Sequence, residues 1–298
     1  MRLILLGSGA FGLPTFKHLH AHHDVCAVIS QPDRPAGRKR QLTATPVAQW
    51  AADVGLPTFK PDDANAPQTV AQLAAYKADA AVVIAFGQKL SPLLIDALGR
   101  LVVNLHASLL PKYRGAAPIN WAMIHGEQAT GVSVISLAQK MDAGLIYATA
   151  QTPIDPLETA GELHDRLAAL GPAVVSDVLR AFADGSLRGV PQDERLATRA
   201  PKLSKADGHV DFTQDAMGSP GDARQAAGAI AAARQRRAGP VLLHRLQGQR
   251  RRTQAGRDHR RAARGRGRWR GAPAGGATAR QATNDDRSVH ARTPDCGR

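Results

Sequence analysis

Cysteine and aromatic residues are scarce in this chain, which has 2 Cys among 298 residues and an aromatic content of 4%. Cys26 lies in an apolar run, and Cys296 lies two residues before the end of the sequence. Two cysteines at this spacing exclude both a disulfide framework and a cysteine-based metal site. We therefore expect a fold held by its apolar core.

Long apolar runs are missing as well. The opening Met1–Leu6 is apolar only briefly before Gly7, which is too short for the core of a signal peptide. No other stretch approaches the ~18 apolar residues of a membrane span. From this we expect a cytoplasmic protein without membrane contact.

Lysine is absent from the last 82 residues, although arginine is abundant there. Residues 217–298 contain 19 Arg and 5 Asp, which accounts for the entire net charge of +14. The first 216 residues are therefore neutral overall. All of the net charge lies in residues 217–298, so any positive field in the first 216 residues is local.

Short apolar runs rich in Val, Ile and Leu alternate with segments of helical pattern, which predicts an α/β fold. Buried strands are predicted at Leu3–Leu6, Val25–Ile29, Ala80–Ala85, Leu101–Leu105 and Val132–Leu137. Helices are predicted at Leu13–His22, Pro46–Val54, Pro67–Tyr76, Pro92–Leu98 and Glu158–Ala183. Such alternation is typical of a doubly wound, mostly parallel sheet covered on both faces. Ligands of such sheets bind at the carboxyl ends of the strands, where we expect Phe86–Gln88, His106–Pro111 and Asp142 to meet.

The glycine pattern Gly7–Gly12, G-x-G-x-x-G after the first strand, would normally indicate a dinucleotide site. That interpretation needs an acidic residue at the end of the second strand, near Ser30 and Gln31, to bind the ribose hydroxyls. Asp33 instead lies in a proline-rich basic loop. A nucleotide-dependent dehydrogenase is therefore disfavoured, and a tight turn lining another ligand is preferred.

Asn104 and His106 lie two residues apart at a strand end, so their side chains share one face of the strand. Two such groups can stabilise a carbonyl oxygen as it becomes an oxyanion, and the imidazole can also move a proton. Alone, His106 would more often be structural and Asn104 a turn former. Together they favour acyl-type transfer.

The surrounding motif, N-L-H-A-S-L-L-P-K-Y-R-G-A-A-P at Asn104–Pro118, resembles the formyltransferase family that uses 10-formyltetrahydrofolate, most closely its methionyl-tRNA branch. Further agreement comes from Q-P-D-R-P-A-G-R (Gln31–Arg38), A-F-G-Q (Ala85–Gln88), M-D-A-G (Met141–Gly144) and A-P-K-L-S-K (Ala200–Lys205). The resemblance extends from Met1 to about Phe212. It implies formyl transfer from 10-formyltetrahydrofolate to initiator methionyl-tRNA, without a metal, by a Rossmann-like domain acting as a monomer.

The resemblance also implies the site residues. Asn104, His106 and Asp142 are the expected catalytic residues, with Asp142 assisting proton removal. The tetrahydrofolate pocket is expected at Phe86, Gly87, Gln88, Ser108, Leu109, Leu110 and Pro111, where Pro111 could be cis. Basic residues expected at the tRNA acceptor end are Arg34, Arg38, Lys39 and Arg40, with Arg114 for an anionic substrate portion. A formyltransferase for a small amine, a formyl-folate hydrolase and a non-catalytic RNA-binding protein remain alternatives.

The domain organisation follows the same comparison. Residues 1–187 are the expected catalytic domain, and residues 188–212 are the expected linker and start of a C-terminal domain. Family members carry a β-barrel beyond this point. Here residues 213–298 have too few apolar residues to form one and are predicted to be disordered. This tail is interpreted either as an arginine-rich RNA-binding segment or as the product of a frameshift between about Phe212 and Arg237. With suitable third bases, the codons that start at Arg237 encode W-P-G-A-F in the frame starting one base earlier, and this resembles a segment of the family.

Overall fold

The structure is a computed structural model and describes residues 1–36, 40–204 and 207. Its strands are β1 (Arg2–Gly7), β2 (Asp24–Ile29), β3 (Arg34–Ala36), β4 (Gln41–Thr43), β5 (Thr58–Phe59), β6 (Ala80–Ile84), β7 (Leu101–His106), β8 (Arg114–Gly115), β9 (Ala129–Ser136), β10 (Ile146–Pro153) and β11 (Arg199–Ala200). Its helices are α1 (Leu13–His22), α2 (Pro46–Asp53), α3 (Pro67–Ala74), α4 (Pro92–Ala97), α5 (Pro118–Ile124) and α6 (Ala160–Ala183). The predicted disorder and frameshift of the tail concern residues outside this description.

A seven-stranded sheet in the order β10-β9-β7-β6-β1-β2-β5 forms the centre of the part of the chain that the structure describes. Strands β5, β2, β1, β6 and β7 are parallel, whereas β9 runs antiparallel to β7 and pairs with β10. The chain leaves β1 in one direction through β2 and β5, then returns to the other side of β1 with β6. The predicted doubly wound, mostly parallel sheet is confirmed, with its switch point between β1 and β6.

Alternation along the buried strands divides their side chains between two cores. Leu3 and Leu5 of β1 pack with α1, α2, α5 and α6, whereas Ile4 and Leu6 pack with α3 and α4. Successive side chains of a strand point to opposite faces, so a continuous apolar run can bury both. This is why the predicted strands carry no polar alternation.

Side chains at the helix starts explain where several helices begin. Thr45 accepts a hydrogen bond from the backbone N–H of Ala48, and Ser91 accepts one from Leu94. Thr159 and Glu162 form a capping box at the start of the longest described helix, α6. Each cap satisfies a backbone donor that the first helical turn leaves free.

Residues 188–201, predicted as part of a linker, lie against the sheet domain. Val190 exchanges two backbone hydrogen bonds with Ile146. Strand β11 pairs in parallel with β8, and the Trp121 Nε1–H donates to the carbonyl of Pro201. No helix among the described residues combines the length and apolar character needed to cross a membrane.

Candidate active site

His106 and Asn104 lie at the carboxyl end of β7, as their spacing predicts. Val103 and Leu105 point into the core beneath α6, so Asn104 and His106 point to the opposite face. The side chain of Asn104 is half-buried and makes no hydrogen bond to another described residue. Its amide is therefore free to meet a ligand.

The His106 ring is only 6% exposed, and both of its nitrogens face polar groups. Nε2 lies 2.9 Å from the carbonyl oxygen of Tyr113, while Nδ1 lies 3.7 Å from Oδ2 of Asp142. A carbonyl can only accept, so Nε2 carries a proton. In neutral His106 the lone pair is then on Nδ1. This nitrogen can accept a proton and, once protonated, donate one.

Tyr113 presents its carbonyl to His106 through a left-handed backbone conformation with φ of 64°. Its N–H donates to the Thr198 hydroxyl, and its own hydroxyl donates to the Glu127 carboxylate at 2.8 Å. Burial, and secondly the bond to Glu127, raise the pKa of the Tyr113 phenol. The phenol therefore stays neutral and anchors the ring, which holds the carbonyl in place.

Asp142 reaches the site by a route that differs from our expectation. We predicted that three strands would end at one edge of the sheet. Strand β9 is instead antiparallel to β7, so it runs past His106 and ends toward the start of β7. The connection between β9 and β10, residues 137–145, carries Asp142 back toward His106. There Asp142 Oδ2 accepts the backbone N–H of Gly115 at 2.9 Å, and its side chain is only 15% exposed.

Ser133 of β9 shapes the loop that follows β7, where folate binding was predicted. Its hydroxyl donates to the carbonyl of Ser108 at 2.7 Å and accepts the N–H of Leu110 at 3.1 Å. Ser108 is fully buried and donates to the carbonyl of Lys112. Leu109 is half-buried, and the Leu110–Pro111 peptide bond is cis.

The predicted Phe86–Gln88 segment follows β6 at the switch point but contributes few free side chains. Phe86 is buried in the core beside α3 and α4, and its carbonyl accepts the Ser8 hydroxyl. The Gln88 amide accepts the N–H of Ala64 and donates to the carbonyl of Pro61. Gly87 is exposed with φ of 88°. The segment therefore shapes the crevice mainly through its backbone.

The predicted basic residues differ in how far they are exposed. Arg34 and Arg40 are exposed on or beside the β3–β4 hairpin, while Arg38 and Lys39 are outside the described residues. Arg114 is instead buried, with its side chain 6% exposed, and bonds to Gln192 and Glu194. Its guanidinium holds the protein's own chain, which argues against grouping it with the exposed arginines.

Three residues that order this site were missed from the sequence: Tyr113, Ser133 and Gln192. Ser133 and Gln192 act through hydrogen bonds to backbone groups far along the chain, and Tyr113 is held by the distant Thr198 hydroxyl. No local motif marks such bonds. Among the described residues, no group of three or more His, Cys, Asp or Glu side chains could hold a metal ion. The arrangement is an imidazole and an amide on one face of β7, with a carboxylate 3.7 Å from the imidazole.

Comparison with known proteins gives a consistent pattern. Residues 1–179 match the formyl transferase family. Over 216 residues the chain is 43% identical to the methionyl-tRNA formyltransferase of Sorangium cellulosum, covering 72% of this chain and 70% of that protein. It is 42% identical over 218 residues to the methionyl-tRNA formyltransferase of Moorella thermoacetica, covering 73% and 70%.

Solved structures with the same fold are more distant in sequence. An N-formyltransferase from Helicobacter canadensis in complex with folinic acid and dTDP-3-aminofucose matches with a TM-score of 0.59 and 15% identity, covering 76% of this chain and 80% of that one. Glycinamide ribonucleotide transformylase 1 from Symbiobacterium toebii matches with a TM-score of 0.53 and 22% identity, covering 65% and 94%. These likenesses concern the fold.

Proposed function

Since the chain belongs to the formyl transferase family, we propose that it transfers the formyl group of 10-formyltetrahydrofolate to the amino group of methionyl-tRNA. The observation that carries the proposal is the placement of Asn104 and His106 on one strand face, with Asp142 3.7 Å from the imidazole. The identity of 43% to a methionyl-tRNA formyltransferase supports the acceptor. The protein is then an enzyme of translation initiation.

The reaction begins when the neutral amine attacks the formyl carbon. The formyl oxygen becomes an oxyanion, to which the Asn104 amide and protonated His106 donate hydrogen bonds. Asp142 stabilises the imidazolium and assists removal of the amine's proton. Collapse of the tetrahedral intermediate expels the folate nitrogen, which takes up a proton. No protein group becomes covalently attached.

The folate co-substrate fits the crevice at the carboxyl ends of β6 and β7. Two loops border it: Ala85–Gln88, with the exposed Gly87 that lets a ligand approach the backbone, and Ser108–Pro111, which Ser133 holds in shape. Leu109 supplies apolar surface for a pterin ring. These features support a folate pocket built on rigid backbone.

The tRNA acceptor end is proposed to lie along the β3–β4 hairpin. Arg34 and Arg40 are exposed there, and the intervening Arg38 and Lys39 add to the local positive charge. Because the first 216 residues carry no net charge, this field is local and would orient phosphates toward the site. We further propose that the enzyme acts in the cytoplasm as a monomer, as its resemblance to the methionyl-tRNA branch of the family implies.

Formylation by the full-length chain tests the proposal. With 10-formyltetrahydrofolate and methionyl-tRNA, the wild type is expected to release tetrahydrofolate and form formylmethionyl-tRNA. Asn104→Ala and His106→Ala are each expected to reduce kcat by about 10²–10³-fold, because each removes an oxyanion donor. Thermal unfolding checks that each variant folds, and the exposed His22→Ala serves as the matched control.

The acceptor decides between the proposed function and its alternatives. Formate release that is independent of any amine would indicate a hydrolase, and formylation of small amines in preference to methionyl-tRNA would indicate a different transferase. Near-normal turnover by folded Asn104→Ala or His106→Ala would refute the proposed mechanism.

A further inference from the structure

The segment after α6 lies directly on the loop that carries Asp142. Val190 and Ile146 exchange backbone hydrogen bonds of 2.8 and 2.9 Å, so the segment enters beside the start of β10. Two residues later, the side-chain amide of Gln192 contacts the backbone of the loop. Its Nε2 donates to the carbonyls of Asp142 and Gly144, each at 2.8 Å.

Arg114 fixes the other end of the Gln192 amide. Its Nε and Nη2 donate to Gln192 Oε1 at 3.0 and 2.7 Å. Both amide hydrogens and the amide oxygen of Gln192 are thus engaged. A flipped amide would place N–H groups against the guanidinium and an oxygen against two carbonyls. The observed orientation is therefore strongly preferred.

Glu194 secures the same segment from the opposite side. Its carboxylate bonds to Arg114 at 2.8 Å and to Lys140, which belongs to the Asp142 loop. Gly115, the residue after Arg114, donates its N–H to the Asp142 carboxylate. Arg114 and Gly115 therefore hold Asp142 at two points, the side chain directly and the backbone through Gln192.

We propose that Gln192 is a positioning residue for Asp142, acting through the two carbonyl bonds that set the loop around it. The proposal rests on the formyl transfer proposed above and extends it to a residue 50 positions beyond Asp142. Gln192 does not face the reacting atoms. Its role is to keep the Asp142 carboxylate at the imidazole.

Gln192→Glu is the most informative variant because it keeps the contact at one end of the side-chain amide and removes the contact at the other. A glutamate at this position still accepts the bonds from Arg114, so the segment stays anchored. Its second oxygen, however, would face the carbonyls of Asp142 and Gly144 and repel them. Gln151→Glu, the same change on the exposed face of β10, is the matched control.

The expected result is a fall in kcat of about 10–100-fold with a KM for folate within about twofold, because a small misplacement of a catalytic group is costly. In a double-mutant cycle with Asp142→Asn, Gln192→Glu is expected to add less than about twofold, since both changes act through one carboxylate. A purely structural role would instead lower activity by the same factor in both backgrounds, and that result would overturn the proposal.

Hydrogen exchange supplies a readout that does not depend on turnover. The N–H of Leu145, at the end of the loop, donates to the hydroxyl of Ser136, the last residue of β9. In Gln192→Glu, amides of residues 138–146 are expected to exchange at least about fivefold faster than in the wild type, with α6 unchanged. If the wild type fails to formylate any amine, the proposed function fails, while this exchange still tests Gln192. Unchanged exchange in the loop would refute the positioning role.

Discussion

Gly144→Ala is the most direct perturbation of the Asp142 loop, because it adds a methyl group where the structure has no room. A Cβ at this position would lie 1.7 Å from the carbonyl oxygen of Ser136 and 2.6 Å from its carbonyl carbon. The φ angle of Gly144 does not lie in the left-handed region that favours glycine. Only the contact with β9 excludes the side chain.

The size of the effect follows from these distances. Restoring an ordinary contact of about 3.4 Å requires Gly144 and Ser136 to separate by roughly 1.7 Å. Asp142 is two residues away, and its bond to the Gly115 N–H is 2.9 Å long. If Asp142 moves by even half of the required separation, its hydrogen bond to Gly115 breaks. Misplacement by about 1 Å costs roughly 10²-fold in rate, so we expect that loss in kcat.

The assay is formyl transfer measured well below the unfolding temperature, with thermal unfolding followed in parallel. Gly161→Ala is the matched control, since its Cβ would meet nothing closer than 3.8 Å and the residue lies in the first turn of α6. It is expected to keep full activity and stability. A Gly144→Ala enzyme with wild-type kcat would refute the coupling between this loop and catalysis.

Two further predictions concern the neighbourhood of the site. Ser133→Ala leaves the Ser108 carbonyl and the Leu110 N–H unpaired, which should cost about 1–3 kcal/mol for each buried group in urea unfolding and raise the KM for folate; a loss under about 0.5 kcal/mol would contradict this. Hydrogen bonds from Arg114 and then Lys140 lower the pKa of Glu194 to about 2, from 4.5. Its stabilisation is therefore complete above pH 4.5 and is lost as the pH falls toward about 2. The difference in Tm between wild type and Glu194→Gln should shrink over that range, and a constant difference would argue against the ion pairs.

The central architecture could be predicted because it depends on local composition. Continuous apolar runs marked β1, β2, β6, β7 and β9, and the helix between Leu13 and His22 was predicted with its observed bounds. Strand β10 was missed because Ile146–Pro153 is not a continuous apolar run. Half-buried and exposed residues alternate along most of it, and several of them are polar. The direction of β9 was also missed, since an apolar run does not state whether a strand is parallel or antiparallel.

The candidate site was predictable where its residues are close in sequence. Asn104 and His106 share a strand, so their spacing alone places them on one face. Asp142 depended on the family resemblance, because its position near His106 comes from a loop that returns across the end of β9. The contacts of Tyr113, Ser133 and Gln192 could not be predicted, because each joins segments far apart in the chain.

Arg114 illustrates what the structure adds to a prediction made for a charged residue from its sequence context. It follows the predicted folate loop, and arginines near a phosphate-bearing substrate commonly bind it. The structure buries its guanidinium beside Gln192 and Glu194, and its Nη1 is buried without a hydrogen-bond partner among the described residues. A buried arginine needs charged or polar partners, and those present here come from a segment about 80 residues later. The predicted binding of an anionic substrate portion by Arg114 stays a prediction. Burial and pairing of this kind are tertiary properties.

Residues 190–194 contact the loop that carries Asp142, so they affect which part of the chain is expected to be active by itself. The family match ends at residue 179, and the sheet with α6 is complete by residue 183. A chain ending there would lack the Gln192 bonds to the Asp142 and Gly144 carbonyls, as well as the Thr198 hydroxyl that accepts from Tyr113. The first loss frees the carboxylate loop, and the second loosens the carbonyl that orients His106. Because both changes act on the same imidazole, we expect the proposed formyl transfer to require the chain through about residue 201, where the Trp121 Nε1–H donates to the Pro201 carbonyl.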